Sequence, residues 1–135
     1  MKLRRKALNR RARKGTVTVE FALVAPLLFM LFLGSIEITR LNFIRQTASN
    51  AAYEAARKAI VPGGTSADAT AAATNLLNAV KCGAGVTVTI TETASNVTAS
   101  VRIPVNQNSW GIGRFSYGMN VQQSCTLSRE SVQGT

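Results

Sequence analysis

An uncharged stretch of sixteen residues near the N-terminus, FALVAPLLFMLFLGSI at residues 21–36, most constrains this chain, because it is apolar on every side of a helix. With residues 16–19 it extends to about 21 residues, or roughly 31 Å as an α-helix, interrupted only by Glu20. All-round apolarity disfavours a buried core helix. Leu33-Gly34-Ser35 is a poor signal-peptidase site, and the helical pattern continues beyond it, which disfavours a cleaved signal peptide. We therefore predict a transmembrane helix over residues 16–36.

The positive charge of the chain is concentrated before this helix. The net charge is +10, and residues 1–14 hold eight of the sixteen Lys and Arg residues and no acid. Positively charged flanks stay in the cytoplasm, so residues 1–15 are predicted to form a basic cytoplasmic leader and residues from 37 onward to lie outside. The leader has membrane lipid as an expected partner, through anionic headgroups. It has no interleaved aromatic residue for base stacking, so no nucleic acid is expected as a partner.

The composition argues against an enzyme. The chain has no histidine, only six acidic residues and two cysteines, which leaves no general base for the many Ser and Thr hydroxyls and no structural zinc site. The glycine pairs at 83/85 and 111/113 lack the spacing of a phosphate-binding loop. We expect no catalytic residue, no metal, no cofactor and no small-molecule substrate.

Beyond the span, a helical stripe continues the first helix to about residue 60. Its apolar members recur every three or four residues: Leu41, Ile44, Ala48, Ala52, Ala55 and Ala59. The whole helix would then be about 45 residues, or roughly 67 Å long. Val61-Pro62-Gly63-Gly64 is expected to end it. The small residues of the stripe pack either on the chain's own domain alone or also on assembly partners.

Residues 61–135 are predicted to form a small extracytoplasmic α+β domain. A second, alanine-rich helix is expected over residues 65–81, with Gly83 closing it. Alternating apolar residues predict a β-hairpin from 86–92 and 97–105, and a third strand over 117–127. Between them, residues 106–116 are expected to form a loop whose Trp110, Ile112 and Phe115 cover the core or bind a partner. The fold class is therefore α+β, with a long N-terminal helix, a short second helix and a small antiparallel sheet.

The two cysteines allow one disulfide. Cys82 and Cys125 both fall in the part of the chain predicted to lie outside the cytoplasm, where disulfides persist. We expect a bond between them, and two free, buried thiols are the alternative.

The junction between leader and span carries a recognisable pattern. Lys14-Gly15 followed by Thr16 and, at the fifth mature position, Glu20 and then Phe21 resembles a type IV prepilin peptidase site. The longer stretch GTVTVEFALVAPLLFMLFLGSIEITR resembles the N-terminal signature of TadE-like proteins of the tight-adherence (Flp) pilus system. The matching residues are Glu20, Phe21, Ala22, Pro26, Leu27, Gly34, Glu37 and Arg40. Residues 48–57 and the ending at 127–130 are also similar to that family.

The resemblance implies a pilin-like pseudopilin of pilus assembly or secretion in the bacterial inner membrane. It implies cleavage between Gly15 and Thr16, with Lys14, Glu20 and Phe21 as the processing and assembly motif. Implied partners are a prepilin peptidase, other pilus or pseudopilin subunits and assembly-platform proteins. Thr16 departs from the Phe or Met found first in many mature type IV pilins. The alternative is a single-pass envelope protein with an outer binding domain that never enters a pilus.

Overall fold

The computed structural model describes residues 2–108 and 118–129, and of residues 2–14 it describes the backbone. The elements in chain order are α1 (Lys2–Ile60), α2 (Ser66–Ala79), β1 (Thr87–Glu92), β2 (Asn96–Pro104), α3 (Val105–Asn108) and β3 (Asn120–Ser128). The chain divides into two compact units, an N-terminal unit up to Ile36 and a C-terminal unit from Glu37 onward. The predicted α+β class is confirmed: a long apolar helix, a short second helix and a three-stranded antiparallel sheet.

Helix α1 begins earlier than the sequence predicted and ends where it predicted. The leader is helical from Lys2, and the helix runs through Pro26, which lacks the N–H that would bond the Ala22 carbonyl. After Ile60 the Gly64 N–H donates to the Val61 carbonyl at 2.8 Å, with Gly63 at φ +84°. This geometry, with Pro62 second and glycine third, is that of a type II turn. The Val61-Pro62-Gly63-Gly64 stop is confirmed, and its mechanism is a turn whose third position favours glycine.

The sheet is a meander in which β2 is central, in the order β1-β2-β3. Both pairings are antiparallel; Val88 lies opposite Val101, and Ala99 lies opposite Cys125. The predicted strands therefore exist, each displaced at its ends by up to three residues. One sheet face is polar and holds Thr87, Thr89, Thr91, Thr98, Ser100, Arg102, Gln122, Ser124 and Thr126.

The opposite sheet face forms one core with the two long helices. Fully buried β2 residues are Val97, Ala99, Val101 and Ile103. The buried face of α1 consists of Ile44, Ala48, Ala51, Ala52, Ala55, Ala56 and Ala59, and α2 adds Ala69, Ala73 and Leu77. Alanine at so many positions leaves little side-chain bulk between the helix backbone and its neighbours. The alanine face that the sequence left open to assembly contacts is thus covered inside this chain.

The β1–β2 connection is fixed by hydrogen bonds within it and from the end of β3. The Thr93 N–H donates to the Asn96 carbonyl at 2.8 Å, and the Asn96 N–H donates to Thr93 Oγ1 at 3.0 Å. Arg129 reaches the same turn, because its N–H donates to the Ser95 carbonyl at 2.7 Å and its Nη2 pairs with Glu92 at 2.8 Å. These two contacts of Arg129 join the end of β3 to the turn of the β1–β2 hairpin.

Helix α2 begins as predicted, but the predicted closure by Gly83 is wrong. Thr65 caps the N-terminus by accepting from the Asp68 N–H at 3.1 Å. At the other end Lys81 adopts φ +56°, its N–H donates to the Asn78 carbonyl, and the Cys82 N–H donates to the Leu77 carbonyl. These two bonds form a Schellman motif, with Lys81 at the position that usually holds glycine. Cys82 and Leu77 are both fully buried, which fits the apolar contact that often accompanies this motif.

Lys81→Gly should stabilise the C-terminal unit by about 0.5–1 kcal/mol. The left-handed conformation costs a residue with a Cβ about 1–2 kcal/mol, and the greater freedom of glycine in the unfolded chain offsets part of that gain. Thermal unfolding of the full chain in detergent measures the effect. The matched control is Gln46→Gly, at an exposed position in the interior of α1, which should destabilise by about 1 kcal/mol. A melting temperature that falls in both variants would contradict this account of Lys81.

A second correction concerns the predicted loop over residues 106–116. Its first residues belong to α3, a single helical turn that follows β2 directly. Pro104 ends β2 as the sequence indicated. Trp110, Ile112 and Phe115, predicted to cover the core or to bind a partner, lie outside the described residues.

Candidate functional site

The N-terminal unit presents a helix surface that is apolar and exposed. The most apolar 18-residue window of the candidate span, within Gly15–Ile60, has a mean hydropathy of 2.2, and none of it is buried. Phe21, Ala25, Leu28, Phe29 and Phe32 line a shallow groove along one face. Large apolar side chains on all sides of an exposed helix fit hydrocarbon surroundings and are costly in water. The helix is therefore a candidate membrane span by length and composition.

Gly15 and Thr16 lie within α1 and are exposed. A Cβ placed at Gly15 would meet nothing within 4 Å. Glycine inside a helix costs about 1 kcal/mol relative to alanine, and packing among the described residues gives no reason for it. The side chain of Lys14 lies outside the described residues.

Glu20 stands at the start of the apolar run, one helical turn after Thr16. Its carboxylate is exposed, and among the side chains that the structure describes none bonds to it. Phe21, beside it, lines the apolar groove. Because a carboxylate near hydrocarbon costs up to a few kcal/mol, a partner from outside this chain would stabilise it.

Two residues of the C-terminal unit form a polar junction that we call the Arg40–Asn108 lock. The Arg40 guanidinium donates to the Asn108 carbonyl through Nε at 3.2 Å and through Nη2 at 3.1 Å. Nη2 also lies 3.8 Å from Cys82 Sγ, and the guanidinium lies 5.6 Å from the centre of the Phe43 ring. Arg40 thus ties the start of the unit's α1 portion to the end of α3.

Asn108 is buried and uses its whole side chain in hydrogen bonds. Its Nδ2 donates to the carbonyls of Ala84 and Pro104, both at 2.9 Å, and its Oδ1 accepts from the Ala84 N–H at 3.3 Å. The segment before β1, the end of β2 and helix α1 therefore meet at one asparagine. Asn108 could not be singled out from the sequence, since nothing in the sequence pairs Arg40 with a position 68 residues away.

The two cysteines are free thiols in the structure. Cys82 lies at the lock, whereas Cys125 lies half-buried opposite Ala99. The expected bond between Cys82 and Cys125 stays a prediction.

Within residues 15–108 and 118–129, no cluster of three or more metal-ligating side chains occurs. The polar features described above are the Arg40–Asn108 lock and the exposed Glu20 carboxylate. Neither arrangement holds a nucleophile beside a base.

Comparison with known proteins finds a similarity in the N-terminal part of the chain. Residues 15–57 match the family model described as TadE-like protein, which confirms the resemblance over about a third of the chain. No curated protein and no solved structure matches the chain. The matched segment contains Gly15, Glu20 and Arg40, and with one candidate span it fits a membrane protein related to the Tad system. TadE-like proteins are a pilus-associated structural family.

Proposed function

We propose that this chain is a membrane-anchored pseudopilin that takes part in assembling a tight-adherence pilus or a related secretion apparatus. The observation that carries the proposal is the TadE-like match of a segment that forms an exposed apolar helix. At the start of the apolar run, the Glu20 carboxylate bonds to none of the described side chains. The helix anchors the subunit in the inner membrane, with the basic leader inside and the C-terminal unit outside. Its action is mechanical: it positions the unit for contact with other subunits and with assembly-platform proteins.

Processing is the first step of this function. A prepilin peptidase cuts between Gly15 and Thr16, with Lys14, Glu20 and Phe21 completing the recognised motif. The open surroundings of Gly15 support this, because nothing in the described fold requires glycine there. The cut leaves an ammonium group on Thr16, and Glu20 of a neighbouring subunit is its partner.

N-terminal sequencing of the protein from cell envelopes tests the cleavage. We expect a chain that begins at Thr16, and Gly15→Ala should leave the leader attached, because a methyl group beside the scissile bond hinders the peptidase. The matched control is Gly34→Ala, since Gly34 also lies in α1 and an added Cβ there would meet nothing within 4 Å. A Gly15→Ala chain of mature size would overturn the cleavage step. An uncut wild-type chain would favour the alternative, an envelope protein that never enters a pilus.

Glu20→Ala should insert into the membrane at the wild-type level, because it removes a charge from the apolar run. The amount that assembles should fall at least about tenfold, which corresponds to the loss of about 1.4 kcal/mol of subunit attraction. Quantifying the protein in membrane and pilus fractions checks both. Glu20→Gln is the control for shape, because it keeps the size of the side chain and removes its charge. It should fail to assemble, like Glu20→Ala, if the charge is what attracts the neighbouring subunit. Wild-type assembly of either variant would show that the carboxylate does not pair subunits.

A further inference from the structure

Strand β3 lies at an edge of the sheet, and its outer side pairs with no described strand. Just before the strand, the Met119 carbonyl accepts from the Val105 N–H at 3.0 Å. Just after it, the Arg129 N–H donates to the Ser95 carbonyl at 2.7 Å, so odd-numbered residues bond towards β2 at both ends. Bonding directions alternate along an antiparallel ladder, so the even-numbered residues of β3 turn their backbone N–H and C=O groups outward. These outward residues are Asn120, Gln122, Ser124, Thr126 and Ser128.

The outer edge of β3 lacks the features that usually keep a sheet edge unpaired. Edge strands are commonly short, or carry a charge, a proline or a bulge that hinders pairing with another chain. The nine residues of β3, NVQQSCTLS, include no charged residue and no proline, and their register with β2 has no bulge. At the other edge, β1 has only six residues and ends in Glu92, which pairs with Arg129 at 2.8 Å. We therefore expect an added strand at β3 rather than at β1.

We infer that β3 pairs with β3 of a second copy of this chain, antiparallel and about a two-fold axis at Ser124. Exposed and half-buried residues alternate along β3 in a pattern that is symmetric about Ser124, so the inner faces of the two copies lie on the same side. In this register every outward residue falls in a hydrogen-bonded pair, and each such pair exchanges two backbone bonds. Two three-stranded sheets thereby become one continuous sheet.

The side chains of β3 are complementary to those of its own copy in this register. Val121 lies opposite Leu127 of the second copy, so two half-buried apolar side chains cover each other on the inner face. Gln122 lies opposite Thr126 on the polar face. The nearest charged residue beyond the strand, Arg129, lies about 33 Å from its own copy along the strands, so no like charges meet. The inference goes beyond the proposed function, because it concerns the C-terminal unit and holds for a chain inside or outside a pilus.

Disulfide trapping of the full chain in cell envelopes tests this pairing. Each variant is made with Cys125→Ser, and the remaining native thiol, Cys82, is fully buried. Ser124→Cys places two thiols directly opposite each other, with Cα atoms about 5.5 Å apart, which a disulfide can bridge. Gln122→Cys is the matched control, because it is exposed on the same face of the same strand but lies about 13 Å along the strands from its copy.

We expect Ser124→Cys to form at least fivefold more covalent dimer than Gln122→Cys. Co-expression of Gln122→Cys with Thr126→Cys should restore the dimer, because these two positions are opposite each other, and mass spectrometry identifies the linked peptides. Equal crosslinking at 124 and 122 would overturn the inference, since the copies would then meet without this register. No crosslink at 124 would also overturn it, and would mean that another protein or another segment of the same chain occupies the edge.

A second variant tests the same edge without a crosslink. Ser124→Lys places two ammonium groups opposite each other and should lower the dimer fraction of the full chain, measured by light scattering in detergent, at least fivefold. Ser124 is exposed, so the melting temperature of the monomer should stay within 2 °C of the wild type. An unchanged dimer fraction would contradict pairing through β3.

Discussion

Asn108→Ala should destabilise the C-terminal unit by about 2–4 kcal/mol, at roughly 1 kcal/mol for each of the three side-chain hydrogen bonds that it removes. Ala84 and Pro104 would lose their partner, and the Asn108 carbonyl would lose the framework that holds it against Arg40. No other described side chain joins the same three segments. For a unit of this size the melting temperature should fall by about 10 °C or more.

Thermal unfolding of the full chain in detergent, with hydrogen exchange of the β2 amides, measures this loss. Asn106→Ala is the matched control, because Asn106 lies in the same helical turn and is exposed. Asn108→Asp separates shape from hydrogen bonding: it keeps the size but turns both Nδ2 donors into an acceptor that faces two carbonyls. If Asn108→Ala melts within 2 °C of Asn106→Ala, the lock does not stabilise the fold.

Ala52→Leu should cost about 3 kcal/mol or more. Ala52 is fully buried on the alanine face of α1, within the core that also holds the inner face of β2, and three added carbons have no space there without moving the helix. Overpacking of this kind costs about 1–3 kcal/mol in cores that yield, and more where the backbone itself must shift. The expected result is a C-terminal unit that is largely unfolded in detergent and sensitive to protease.

Asn50→Leu is the control for Ala52→Leu. Asn50 is exposed on the same helix, and leucine is the better helix former, so its melting temperature should stay level or rise slightly. The comparison also separates two uses of the alanine face. A stable Ala52→Leu protein that fails only in pilus assembly would mean that the face serves contacts between subunits, contrary to its burial here.

Local chemistry in the sequence predicted much of the fold. The stop after Ile60 was predictable because Pro62 and Gly63 restrict backbone angles to those of one turn type. The hairpin was predictable because alternating residues such as Val97 and Ala99 share one side of any strand. The apolar run was predictable because a helix that is apolar on every side needs surroundings that cover all of it, as a bilayer does.

Other features of the fold could not be predicted from residues that are close together in the chain. Lys81 adopts a conformation that favours glycine, because two helix-ending hydrogen bonds and the buried Cys82 hold it there. Helix α3 carries no helical period, since a single turn is too short to show one. Of the motif at the leader junction, Glu20 stood out as a charge in the apolar stretch, and Gly15 was assigned by the resemblance to a prepilin peptidase site; the fold adds only that both are exposed.

The sequence by itself determined the apolar helix, its charged flank, the resemblance of residues 15–57 to TadE-like proteins and the presence of three strands, because each depends on residues close together in the chain. Tertiary structure decided the covering of the alanine face and the partner of Arg40. Those depend on which distant segments pack against each other, and hydrophobic burial favours apolar faces without specifying their partners.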